Sequence, residues 1–273
     1  MSAYHHAGDD KLLVDFSLHA EYTSTPQVVA DFAQATREAG LRMQVHVSET
    51  AKEVEECRRR HNMTPVAYLD SAGLFDVPTT AAHCVALDDE DFAILAAKEV
   101  TVATCPASNA KLGSGIADVA RMRAEGIPVA LGTDGVASNN NHNMFSDMYL
   151  LALMQRAERR DPVGLPVGEV ISIATRNGAL SQGRDDCASV AIGMKADLLV
   201  MDIDTPWMNP VEDMASNVVY AAQGSDVVLT MVDGVVLYRD GLYPTIDVER
   251  VTFEVCRARE RIVSALGEKS ALR

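Results

Sequence analysis

Several short apolar runs in this chain end in an acid or an imidazole and are followed by a helix-patterned segment. That pattern constrains the fold more than any other feature. His46 and Glu49 lie in Val-His-Val-Ser-Glu-Thr (45–50), His83 in Ala-Ala-His-Cys-Val (81–85), and Asp134 near the end of Val-Ala-Leu-Gly-Thr-Asp-Gly (129–135). Strands alternating with helices imply a parallel sheet joined by βαβ crossovers. In barrels of this kind, polar groups at the C-terminal ends of successive strands converge on one face, where the chemistry is done. Two imidazoles and two carboxylates meeting there suit a metal-activated water with proton shuttles.

The sequence places strands at Leu12–Phe16, Met43–Val47, Thr80–His83, Val100–Thr104 and Pro128–Gly132. Helices are expected at Pro26–Ala39, Thr50–Arg60, from Thr64-Pro65 to near Gly73, and at Asp88–Lys98, Ala117–Glu125 and Asn143–Arg159. The start and stop signals are local: Ser24-Thr25 before Pro26, Gly40 after Ala39, and Asn62 as a left-handed stop. Near residue 185 the pattern becomes β-rich. Asp233-Gly234 between two apolar runs signals a hairpin, and Val248–Leu266 reads as a charged helix. The expected organisation is an α/β domain over 1–185, a small β-rich domain over 186–246 and a C-terminal helix over 247–273. Five βα strands cannot close an eight-stranded barrel, because closure ties strand number to tilt and shear. The α/β domain therefore reads as a partial (β/α)8 barrel, roughly strands four to eight.

Charge and composition exclude several classes. The 273 residues carry a net charge of −15, which opposes phosphate backbones and anionic membrane surfaces. Neither nucleic acid nor membrane is expected as a partner. No apolar run reaches the roughly 20 residues of a membrane span, and the first ten residues carry no secretory apolar stretch. Five separated cysteines with no Cys-x-x-Cys suggest free thiols in a cytoplasmic protein.

Each candidate residue also has a structural reading. His46 alone could be a satisfied polar residue at a strand end, Glu49 a first-turn carboxylate favoured by the helix dipole, and Asp134 a turn former. Their recurrence at equivalent strand ends favours function. The Gly residues around Thr133-Asp134 allow close backbone approach. A Cys84–His83 pair is disfavoured because neighbours on a strand face opposite ways, so Cys84 reads as a small buried hydrophobe. Two polar loops, Thr104–Gly113 and Ser138–Asn143, could cover a pocket, with His142 a solvated residue within the second.

These motifs resemble the amidohydrolase superfamily. The resemblance rests on His-Val-Ser-Glu-Thr, Ala-His-Cys-Val, Pro-Ala-Ser-Asn-Ala-Lys-Leu-Gly (106–113) and Leu-Gly-Thr-Asp-Gly-Val-Ala-Ser-Asn-Asn (131–140). His19-Ala20-Glu21-Tyr22-Thr23 and Gly193-Met194-Lys195-Ala196-Asp197-Leu198 extend it. The most similar branch is the methylthioadenosine/S-adenosylhomocysteine deaminases with their chlorohydrolase-like relatives. The resemblance implies a (β/α)8 barrel with a small β-sandwich, His46 and Asp134 as metal ligands, and Glu49, His83 and Asp134 as catalytic groups. It places His19, with Glu49, at the substrate. The metal the resemblance implies is zinc, with iron as second choice. Water activated by that ion attacks an amino-bearing carbon of an adenosine-like nucleoside or related heterocycle, and ammonia leaves.

One departure is large. The superfamily's first strand carries a His-x-His pair, and no such pair occurs here. Neighbouring His5-His6 cannot replace it, since adjacent strand residues face opposite ways. The chain thus resembles the C-terminal two-thirds of a deaminase, with an incomplete metal site and impaired activity expected on its own. The other class of reading is a non-catalytic assembly subunit. Its open sheet edge would bind a partner chain or a second copy.

Overall fold

Val- and Ala-rich runs spaced by helical segments pair side by side in the order in which they occur. The computed structural model describes residues 4–267. Its first sheet is five-stranded and parallel throughout: β1 (Phe16–Leu18), β2 (Met43–Val47), β3 (Thr79–His83), β4 (Thr101–Thr104) and β5 (Val129–Leu131). Among the described residues the order is linear, with β1 and β5 at the edges. The first strand lies later than the Leu12–Phe16 read from sequence. Leu12 instead makes an isolated bridge to Ala7, and the ladder begins where the Phe16 N–H donates to the Arg42 carbonyl at 3.0 Å. The run Leu-Leu-Val-Asp-Phe does not alternate, so it carries no period-two signal to fix its register.

The helices start and stop on their caps. Helix α1 (Pro26–Ala39) opens with Thr25 accepting from the Val28 N–H, carries Pro at its first position and ends at Gly40 with φ of 63°. Helix α2 (Ala51–His61) opens on Thr50 and ends at Asn62, also left-handed at φ of 57°. Next come α3 (Pro65–Ser71), α4 (Asp89–Ala97), α5 (Pro106–Leu112), α6 (Val119–Ala124), α7 (Met144–Arg159), α8 (Val167–Ala174), α9 (Arg176–Ser181) and α10 (Met214–Tyr220). Helix α5 falls inside the stretch read from sequence as a loop. Pro106 at its first turn and Gly113 at its left-handed end are the signals that mark it.

One face of the sheet is the core side. Met43, Val45 and Val47 of β2, Ala81 of β3 and Val102 of β4 are buried against Val29, Leu69, Leu95 and Met122 from the helices. Each such side chain contributes about 1.5–3 kcal/mol on burial. The opposite face carries a cross-strand row, Ser17–Gln44–Thr80–Thr101, in which the first two are exposed and the others half-buried. A parallel sheet is ordinarily covered on both faces and strongly apolar; here one face is polar. The next row on that face, His46–Ala82–Ala103–Ala130, joins an imidazole to three alanines.

The chain divides into two compact units, residues 1–189 with 206–224, and residues 190–205 with 225–273. The segment 206–224 belongs to the first unit because Met208 and Val219 are buried and Asn217 Nδ2 donates to the Met208 carbonyl at 2.6 Å. The second unit holds a three-stranded antiparallel sheet, β6 (Leu198–Met201), β7 (Val227–Val232) and β8 (Val235–Arg239), and the helix α11 (Val248–Leu266). Asp233 and Gly234 join β7 to β8 with φ of 48° and 75°. Two successive left-handed residues match the twist of a tight hairpin. The last residues of the C-terminal stretch read from sequence, 268–273, lie outside the described residues.

Candidate active site

His46 sits on the polar face of β2 and is held by its own neighbour in the sheet. Its Nδ1 lies 2.8 Å from the His19 carbonyl oxygen, and its backbone N–H donates to the same oxygen at 2.9 Å. A carbonyl only accepts, so Nδ1 carries the proton and Nε2 keeps its lone pair. His19 stacks beside it, ring centroids 4.8 Å apart, and meets Tyr22 edge to face at 6.0 Å.

His83 closes β3, and its backbone explains how it joins that face. In register it pairs with Val47, and simple alternation would send its side chain to the core side. At φ of 73° it instead turns left-handed, as does Cys84 at 48°. The imidazole stacks on His46 with centroids 5.3 Å apart. Left-handed backbone at a non-glycine residue costs on the order of 1–3 kcal/mol and gathers at functional sites. His83 Nδ1 donates to Asn109 Oδ1 at 2.9 Å, which leaves Nε2 free to face Glu49 Oε2 at 3.8 Å. Cys84 is fully buried, and burial pushes its thiol far up, so it acts as a packed hydrophobe.

Glu49 is aimed by two neighbours. Ser114 Oγ donates to its Oε1 at 3.1 Å, and the Glu49 N–H donates to Glu53 Oε2 at 2.7 Å. Glu53 also accepts from the Ser48 N–H at 3.0 Å, so one buried carboxylate clasps the loop between β2 and α2. Burial pushes the Glu53 carboxyl up against those hydrogen bonds. A cleft of about 200 Å3 opens here, lined by Tyr22, Glu49, Thr50, Lys52, Glu53 and Glu56.

Asp134 follows β5 in a left-handed conformation, φ of 60°. Ser108 and Ser138 donate to its Oδ2 at 2.5 and 2.8 Å, and the Gly135 N–H donates to Oδ1 at 2.6 Å. Burial pushes its carboxyl up, but those three donors and the nearby His83 outweigh it and hold the group below the usual carboxylate range. Close approach of β5 to β4 depends on Gly132, where an added Cβ would meet Cys105 Sγ at 3.1 Å.

Buried Asp147 of α7 ties the first turn of α5 to the loop after β5. It accepts from the Ala107 N–H at 3.2 Å and from Asn139 Nδ2 at 3.0 Å. Helix α5 supplies Ser108 and Asn109; the loop supplies Ser138. Asp147→Asn is expected to lower stability by about 1–3 kcal/mol, since the new amide nitrogen would face a donor and leave it unsatisfied. A thermal midpoint unchanged from the parent would contradict this bridging role.

The sequence matches the Amidohydrolase family over residues 4–237. The chain belongs to the amidohydrolase family. It is 43% identical over 241 residues to a 5-methylthioadenosine/S-adenosylhomocysteine deaminase of Nitratidesulfovibrio vulgaris, covering 88% of this chain and 54% of that protein. It is 40% identical over 254 residues to a 5'-deoxyadenosine deaminase of Methanothermobacter thermautotrophicus, covering 93% and 59%. Among solved structures, an adenosine deaminase from Xanthomonas campestris with bound zinc superposes with a TM-score of 0.89 at 29% identity, covering 93% of this chain and 58% of that one. An atrazine chlorohydrolase from Arthrobacter aurescens complexed with zinc gives 0.87 at 26%, covering 94% and 57%. The chain thus spans 54% and 59% of the length of these two curated relatives.

In this amidohydrolase chain, His19, His46, His83 and Glu49 form one contiguous cluster. Asp134 is linked to it through α5, where Ser108 donates to Asp134 and the adjacent Asn109 holds His83. Sequence reading missed Asn109, Ser108, Ser114, Glu53 and Asp147 as individual residues. Glu53 had a readable signal, Thr50-x-x-Glu53, the spacing of a capping box. Asp147 had one too: a carboxylate on the apolar stripe of α7 with Met148, Leu151 and Ala152. His142 is exposed. His5 and His6 are engaged with the Val14 N–H and Asp10. Among the described residues, no three His, Cys, Asp or Glu side chains are grouped so as to hold a metal ion. No helix among them is long and apolar enough to cross a membrane.

Proposed function

We propose that the chain carries the later strands of a (β/α)8 barrel and part of a small β-sandwich. It would supply a share of a zinc-dependent site that deaminates an adenosine-like nucleoside or related heterocycle. The observation that carries this reading is the pair of imidazoles, His46 and His83. Each is pinned at Nδ1 and free at Nε2, and they stack beside Glu49. The named activities of the relatives, deaminases of adenosine-type nucleosides, point the same way.

The donor chemistry fits a divalent ion that takes nitrogen and oxygen ligands. A metal-bound imidazole typically donates its other N–H to a carbonyl, as His46 does to His19. His46 and Asp134 would hold the ion. A catalytic zinc takes three protein ligands, so this pair needs further ligands from outside the described residues. When bound, such an ion makes water acidic enough to act as a nucleophile at neutral pH.

The remaining roles belong to the chain's own side chains. Glu49 moves a proton between the attacking water and the ring, held in line by Ser114. His83 polarises the reacting carbon, its tautomer fixed by Asn109. His19 and the Tyr22 side of the cleft take the substrate. The three alanines beside His46 leave the polar face open to a flat ring. The α/β and β-rich domains read from sequence, with 206–224 counted in the first, and a cytoplasmic location are part of the same proposal; all five cysteines are free thiols, as a reducing compartment keeps them.

Metal content and release of ammonia from an adenosine-type nucleoside test the reading. Glu49→Gln is expected to lower turnover by about 10²–10⁴-fold with metal content unchanged. Metal loss in that variant would show that Glu49 is a ligand instead.

A further inference from the structure

The last helix, α11, carries an apolar seam along its full length and has no buried residue. Val248, Val251, Val255 and Ile262 are 47%, 51%, 63% and 59% exposed. With Ala258 and Ala265 they recur at alternating steps of three and four, the a and d positions of a heptad. The a positions, Val248, Val255 and Ile262, are all β-branched. Helices draw most of their stability in proteins from packing an amphipathic face, yet in this 19-residue helix only Ala258 and Val263 are even half-buried.

We propose that α11 is an association helix that pairs antiparallel with α11 of a second copy of this chain. Two features select that partner and that direction. The first is volume. In one antiparallel register Val248 meets Ala265 of the other copy, Val251 meets Ile262, and Val255 meets Ala258. Every layer then combines a larger side chain with a smaller or similar one. A parallel pairing in register stacks Ala258 on Ala258 and Ala265 on Ala265, leaving two layers underfilled, and interiors pack close to crystal density.

The second feature is charge. The same antiparallel register brings Glu254 beside Arg261 of the second copy, and two-fold symmetry makes that contact twice. Flanking charges of this kind set partner and orientation in paired helices. A parallel pair would instead match Glu254 with Arg259 and leave Arg261 against Leu266. The helix is about 28 Å long by its rise per residue, under three heptads, so the association is reversible and concentration-dependent.

Sedimentation velocity of the full chain over a wide concentration range tests this. A monomer–dimer equilibrium is expected. Val255→Glu, at an exposed position where folding is not at stake, is expected to raise the dissociation constant by more than about tenfold. Glu254→Arg alone and Arg261→Glu alone are expected to weaken the dimer, and the two together to restore it. A chain that stays monomeric throughout overturns the proposal, as does a dimer unaffected by Val255→Glu. Restoration of the dimer by Glu254→Arg with Arg259→Glu, and not with Arg261→Glu, overturns the antiparallel register.

Discussion

Joined with the complementary portion of a deaminase relative that carries a His-x-His pair, the chain is expected to gain metal binding and nucleoside deamination together. In that assembly Asp134→Asn is expected to lower turnover by more than about 10²-fold, the lower end of what general acid–base work supplies. The substitution is well suited to the question. Asn tolerates left-handed backbone, so the φ of 60° at this position need not change. What changes is charge and basicity. The native carboxylate collects two hydroxyl donors and one N–H, and together with His83 these keep it ionised despite its burial. An amide cannot accept on both heteroatoms, so one of those donors loses its partner as well. An anionic ligand also contributes to the acidity of a bound water, and its loss raises that pKa. The measurements are metal content and initial rate for parent and variant. An Asp134→Asn assembly within a few-fold of the parent rate would remove Asp134 from the proposed chemistry.

What could be read in advance was whatever a short window encodes. Thr25-Pro26 and Gly40 bracket α1, and Asp233-Gly234 makes the hairpin, because caps and two-residue turns depend on the residues at those positions alone. The strand ends that bear His46, His83 and Asp134 were legible for the same reason: a run of Val and Ala stops at a polar residue. The manner in which His83 reaches its site was not. Strand alternation assigns it to the core side, and only its left-handed turn, together with an acceptor 26 residues away in Asn109, brings it onto His46. Asp147 shows the same limit, since its two donors lie 40 and 8 residues distant and no local pattern records that coincidence. Helix α5 was hidden differently. Seven residues, polar in part, carry too little periodicity to separate a short helix from a loop, and its Pro and Gly punctuation was the only cue. The return of 206–224 to the first unit likewise rests on burial of Met208 and Val219, a tertiary event.

Arg60→Ala is expected to cost about 2–4 kcal/mol of stability, more than a surface ion pair would suggest. Its partner, Glu21, is wholly buried in its side chain, while Arg60 is 38% exposed. Removing one member of a buried pair typically costs 3–5 kcal/mol, because the other charge is left without compensation; the partial exposure of Arg60 reduces that figure. His61 offers little replacement. Its Nε2 is 3.5 Å from Glu21 Oε2, and that oxygen has no hydrogen-bond partner among the described residues. The consequence reaches the site through the chain itself. Glu21 opens the turn Glu21–Thr23 that follows His19, and the His19 carbonyl fixes the proton on His46. If the carboxylate is the cause, neutralising it should relieve the defect. Glu21→Gln combined with Arg60→Ala is therefore expected to be more stable than Arg60→Ala alone, a coupling that a double-mutant cycle measures directly. Arg60→Lys should fall between parent and Arg60→Ala, keeping the charge but losing the planar fork. Denaturant midpoints for these proteins, with Glu21→Gln alone to complete the cycle, settle the matter. A loss below about 1 kcal/mol in Arg60→Ala, the range of exposed pairs, would mean that Glu21 finds its compensation elsewhere and that Arg60 does not anchor the turn beside His19.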